Sequence, residues 1–143
     1  MFNESRTKIY DYVYNLLYGV VTENVYPMYE PQELLKKDTQ EGFIVIRVGQ
    51  INDESQFRGH TYAWTRVFVE AYVPTISRGR FNRELYNKFE SKINEVINNE
   101  IDNGQNENYT IQDDGVVSLD GSADTNANNL YHMYVKSFIV TIQ

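Results

Sequence analysis

The sequence predicts an α+β domain, a mostly antiparallel sheet with two helices packed on one face and a long hairpin loop. Three observations carry this reading. Residues 4–18 and 80–101 repeat apolar side chains at the 3.6-residue spacing of helices. Residues 43–48, 61–73 and 130–142 are rich in β-branched residues or alternate, as strands do. Their order is helix, strand, strand, helix, then two or three strands, unlike the regular strand–helix alternation of a parallel α/β sheet. A length of 143 residues suits one domain spanning residues 1–143, and no repeat or linker divides it.

The first helix places Ile9, Val13, Leu16, Leu17 and Val20 on one face and Tyr10, Tyr14 and Tyr18 on a second stripe. Asn3 or Ser5 can cap its start, and Gly19 can stop it. Residues 22–41 hold Pro27, Pro31 and little periodicity, so they read as an irregular connection with a short extended piece at 25–29. Phe43–Val48 (FIVIRV) reads as a strand. The polar run 49–60 reads as a loop, and 61–73 as a long strand closed by Pro74.

In the second helix, Phe81, Leu85, Phe89, Ile93, Val96, Ile97 and Ile101 form the clearest apolar stripe of the chain. Asn103-Gly104 suits its end. Residues 109–112 and 116–119 flank Asp113-Asp114-Gly115, a hairpin signal. Residues 120–129 read as a polar loop. In the last strand the alternation breaks around 136–138, which suggests a bulge.

Residues 61–73 have two unlike faces. One carries Ala63, Thr65, Val67, Val69, Ala71 and Val73, small and β-branched, suited to lie under a helix. The other carries Tyr62, Trp64, Arg66, Phe68, Glu70 and Tyr72, where a one-sided sheet would be polar. Aromatic residues with Arg are the composition of protein interfaces. Three readings of this face stay open: a second small core covered by the 22–41 connection, a protein interface, and a ligand groove.

Charge is unevenly laid out. The net charge is −7, of which residues 1–100 supply −2 and residues 101–143 supply −5. Residues 76–92 carry +3, with Arg78 and Arg80 at the start of the second helix, while Asp113 and Asp114 belong to the acidic end. Solvated surface explains any single charge. As a pair, the patches also suit head-to-tail contact between identical subunits.

Several classes are excluded. With no Cys there is no disulfide scaffold, thiol nucleophile or Cys-based metal site. The acidic balance argues against general nucleic-acid or anionic-membrane binding. Charges interrupt every apolar run near the N-terminus, so neither a signal peptide nor a membrane span is expected, and the chain is expected to stay in a cytoplasm. No GxSxG, Walker A, GxGxxG or HExxH occurs, and nothing in the sequence joins His60 to His132. The stretch from Asp120 lacks the sixth-position Gly and twelfth-position Glu of a calcium loop. Arg78-Gly79-Arg80 resembles a phosphate-binding cluster, but on an acidic chain it would bind weakly. Neither catalytic residues, metal nor cofactor are expected.

Taken together, the helix at 4–18, the strand FIVIRVG, the strand TYAWTRVFVEAYVPT ending at a proline, the helix after it, and the turn QDDG before a last alternating strand resemble the tail-terminator and neck (head-to-tail joining) proteins of tailed bacteriophages. The resemblance covers nearly the whole chain and rests on the pattern of elements. It implies a structural ring of identical subunits in the virion, assembled in the host cytoplasm. Such a ring would contact portal, capsid or tail-tube proteins and meet DNA only in passage. It also implies that the loop 49–60, with Phe57 and Arg58, reaches toward neighbours. The longer 22–41 connection and the Asn-rich stretch 98–108 depart from the pattern. Two other readings compete: a monomeric protein-binding adaptor with an aromatic groove, and a small enzyme, for which no motif speaks.

Overall fold

The computed structural model describes residues 2–26, 41–55, 61–76, 80–103, 109–114, 121–125 and 129–142. Among these, two helices and seven strands follow in the order α1 (Phe2–Leu17), β1 (Val25–Tyr26), β2 (Phe43–Val48), β3 (Asn52–Ser55), β4 (Thr61–Pro74), α2 (Arg83–Asn103), β5 (Tyr109–Asp113), β6 (Gly121–Thr125) and β7 (Asn129–Ile142). Five strands lie side by side as β1-β2-β4-β7-β5, with β3 against β4 and β6 against β7. Only β1 and β2 run parallel. This is the expected α+β sheet with two helices on one face.

The helical stripes become the core as the spacing predicts. Ile9, Val13 and Leu17 of α1 and Phe89, Ile93 and Ile97 of α2 are buried with Ile44, Ile46, Val67, Val69 and Phe138 of the sheet. Burying each such side chain stabilises the fold by roughly 1.5–3 kcal/mol. Two stripe members depart from the expectation. Val20 and Phe81 are exposed because each lies beyond its helix. Gly19, at φ +76°, turns the chain after α1. Asn82 starts α2, its Oδ1 accepting from the Leu85 N–H at 3.2 Å.

Residues 49–60 are not a plain loop. Val48 pairs with Val67, and Asn52 with Trp64, so three residues oppose two and β2 continues into β3 through a one-residue bulge. Gly49 donates to the Arg66 carbonyl at 2.9 Å, and the Thr65 hydroxyl donates to the Gly49 carbonyl at 2.8 Å. A Cβ on Gly49 would stand 3.1 Å from that Arg66 oxygen, which suits glycine to this position. The sequence NDES has little strand preference; its pairing is imposed by the long partner β4. Phe57 and Arg58 lie outside the described residues.

The C-terminal strands also differ from expectation. Gly121–Thr125 is strand β6, not part of a polar loop, and it forms a hairpin with β7 in which Thr125 faces Asn129. The partner described for β5 is β7, while the stretch 116–119 expected opposite it lies outside the described residues. β7 carries no bulge against β4: the register runs unbroken from Ala63↔Ile142 to Pro74↔Tyr131. Alternation fails at 136–138 because Ser137, on the face away from the helices, is covered by Asp114, whose Oδ2 accepts from its hydroxyl, while Phe138 lies in the main core, so both are buried.

Tyr12 ties three elements together. Its hydroxyl donates to the Glu100 carboxylate of α2, and its ring stacks on Tyr109 of β5 at 5.2 Å. Burial, then the hydrogen bond and charge of Glu100, hold the Tyr12 hydroxyl well above the usual tyrosine value of 10.0. A folded value above the unfolded one gives stability that is complete below pH 10.0 and is lost as pH rises from there toward the folded value. Denaturant midpoints are therefore expected to hold up to about pH 10 and to fall as pH rises above it. Tyr12→Phe should flatten that slope; an equal slope in the variant would contradict the assignment.

Candidate functional site

Residues directly opposite one another in an antiparallel pair share a face. The register therefore puts Trp64, Arg66, Phe68, Glu70 and Tyr72 of β4 with Phe43, Val45 and Arg47 of β2 and with Met133, Val135, Ser137 and Ile139 of β7. This face lies away from both helices, and it divides into three zones.

At the end where β4 finishes, the face is a second small core. Phe43, Val45, Tyr72 and Tyr131 are buried there. Phe43 stacks on Tyr72 at 4.9 Å with 10° between planes, and Tyr26 and Tyr131 meet Phe43 edge-on. Tyr72, a candidate interface residue, packs inside its own chain and does not offer its ring to a partner.

Two ion pairs occupy the middle. Arg47 Nε meets Glu70 Oε1 at 2.8 Å, and the Tyr72 hydroxyl donates to the same oxygen at 3.0 Å. Burial, with the nearby Glu70 charge, pushes the Tyr72 hydroxyl up to about 12. Arg66 grips Asp114 at two points, Nε–Oδ2 at 2.7 Å and Nη2–Oδ1 at 3.2 Å, and the Ser137 hydroxyl donates to Oδ2 at 3.0 Å. The Asp114 side chain is 4% exposed and Arg66 45%. Asp114 is thus no part of a free acidic patch: it neutralises Arg66 within the chain. Asp113, opposite Phe138, is exposed toward the helix side.

The remaining zone holds Trp64, Phe68, Val135 and Ile139, all partly exposed, around the open edge of Arg66. This is what the face presents outward: aromatic and aliphatic surface beside cations already paired. Tyr62 lies on β4 opposite Glu54. Arg80 is exposed at the start of α2, away from this face, and Arg78 lies outside the described residues. The structure brings Trp64, Arg66, Phe68, Glu70 and Asp114 together and leaves Arg80 and Asp113 elsewhere. Sequence reasoning missed Arg47, Val135, Ser137 and Ile139. The alternation of FIVIRV could have pointed to Arg47; the β7 residues needed the register.

Chemically the face is suited to docking. Both carboxylates are held by guanidinium groups, so neither is placed as a free acid or base. Among the described residues no cluster of three His, Asp or Glu could hold a metal ion, and no helix is long and apolar enough to cross a membrane. A double-mutant cycle of Arg66→Ala and Asp114→Ala is expected to give a coupling of about 1 kcal/mol, since one partner is solvent-exposed. Additive losses in denaturant titrations would deny the pair any energetic role.

The chain matches no protein-family model. No curated protein sequence matches it at a significant level.

Proposed function

We propose that this chain is a ring-forming structural protein of a phage neck or tail, a tail terminator or head-to-tail connector that joins or caps the tail through protein–protein contacts. The observation that carries this reading is the outward zone of the second sheet face, where Trp64 and Phe68 surround an Arg66 already neutralised by Asp114. Because Arg66 is paired with Asp114 before a partner arrives, covering this zone costs less than burying a lone guanidinium would. The order of elements, resembling that of tail-terminator and neck proteins, supports the same reading. Its partners are further copies of itself and portal or tail-tube proteins, and DNA meets it only in passage.

The adaptor reading asks for an open aromatic groove. Phe43, Tyr72 and Tyr131 instead fill one another's space, which weighs against it.

Trp64 is the single tryptophan, so its fluorescence reports on this face alone. Raising the chain concentration should shift the emission to the blue as the face is buried between copies. Emission that stays constant while the mass grows would put the seam elsewhere. A shift seen only on adding another protein, at constant mass, would favour the adaptor.

A further inference from the structure

We propose that Tyr12, Tyr109 and Glu100 form an oxidative cross-linking site, at which a one-electron oxidant joins α1 to β5 through a dityrosine bond. The site lies apart from the aromatic sheet face and does not depend on the ring reading.

The chain has 12 Tyr, one Trp and no Cys, so an oxidant that takes single electrons meets mainly tyrosine. Two phenoxyl radicals couple through their ortho carbons, because each para carbon already carries the link to the backbone. The new bond grows from π orbitals, which point along the ring normals. Rings lying face to face are therefore aligned for coupling, and edge-on rings are not. Among the described residues two tyrosine pairs are stacked in this way. Tyr12 and Tyr109 have centroids 5.2 Å apart and 25° between planes; Tyr14 and Tyr18 have 5.1 Å and 21°. Tyr86 and Tyr134 stand edge-on at 85°.

Oxidising a phenol removes its hydroxyl proton with the electron. In a buried site that proton needs an acceptor already in place, because stranding a positive charge at low dielectric is costly. Glu100, 9% exposed, supplies one: the Tyr12 hydroxyl donates to its carboxylate. Tyr72 donates to a carboxylate as well, that of Glu70, but it stacks on Phe43, whose ring forms no phenoxyl radical. Tyr12 has both a proton acceptor and a stacked tyrosine. Tyr109 is partly exposed and releases its proton to water.

The step balances in atoms and electrons. Two equivalents of the oxidant each accept one electron, one from each ring. The Tyr12 proton passes to Glu100 and the Tyr109 proton to water. The two ortho carbons then bond, and the hydrogen on each moves to the oxygen of its own ring, restoring both hydroxyls. The net loss is two electrons and two protons. The product ties the first helix to the fifth strand and constrains the unfolded chain as a disulfide closing a long loop does.

Photogenerated ruthenium(III) tris-bipyridine, at two equivalents per chain, tests this on the whole protein. The expected product is a single chain lighter by two hydrogen atoms. In it tryptic peptide 9–36 is joined to peptide 93–136, and fragmentation places the link at Tyr12 and Tyr109. Tyr12→Phe and Tyr109→Phe should each abolish the joined peptide, with circular dichroism confirming the fold. Glu100→Gln keeps the side-chain shape and should slow the joining by about 100-fold, the contribution of a positioned proton acceptor. Coupling of Tyr14 to Tyr18 stays inside peptide 9–36 and calibrates the oxidant in each sample. A link found only inside peptide 9–36, or only between chains, overturns the proposal. Joining that is as fast in Glu100→Gln as in the wild type overturns it as well.

Discussion

Replacing Gly42 by alanine is expected to cost about 3 kcal/mol of stability, a fall in Tm of about 10 °C. Gly42 has φ +78°, in the left-handed region, where a side chain costs about 1–2 kcal/mol. An added Cβ would also stand 2.8 Å from the Phe89 ring and 2.8 Å from the Tyr72 carbonyl oxygen. Overpacking of this kind costs about 1–3 kcal/mol. The carbonyl is backbone within β4 and cannot step aside as a flexible side chain would. Gly42 also accepts from the Asn24 side chain at 3.3 Å, tying the α1–β1 turn to the start of β2. Thermal unfolding of the variant checks this, and a Tm within about 2 °C of wild type would contradict it.

Phe89→Ala should cost as much or more, about 3–4 kcal/mol, because the ring is buried in the main core under α2. The two substitutions share a contact, so they should not add. Removing the ring relieves one of the two clashes at position 42, and the double variant is expected to be about 1 kcal/mol more stable than additivity predicts. Strict additivity would mean that the ring does not limit what position 42 tolerates.

The core was legible in the sequence wherever one period ran uninterrupted. Ile9, Val13 and Leu17, and Phe89, Ile93 and Ile97, are buried as their spacing requires, because a helix fixes the direction of each side chain locally. The stripes misled only where they outran the helices, at Val20 and Phe81. There the Gly19 turn and the Asn82 cap end the geometry that made the spacing meaningful.

Strands β3 and β6 were illegible for another reason. Asn52–Ser55 and Gly121–Thr125 carry polar and small residues with weak strand preference, and each is ordered by a longer neighbour. The site was half legible. Alternation put Trp64, Arg66, Phe68, Glu70 and Tyr72 on one face but could not tell the buried Tyr72 from its partly exposed neighbours. The Arg66–Asp114 pair joins residues 48 positions apart. Only the β4–β7–β5 register brings them together, so one acid of the acidic end region is taken up by Arg66 of the aromatic face and not by the basic stretch 76–92.

The ring reading is tested most directly by the native mass of the purified chain over a rising concentration series. A closed oligomer of one defined copy number is predicted, with that mass persisting once reached because a ring leaves no open end. A single-chain mass at every concentration, in a protein that also binds neither capsids nor tail tubes, would contradict it.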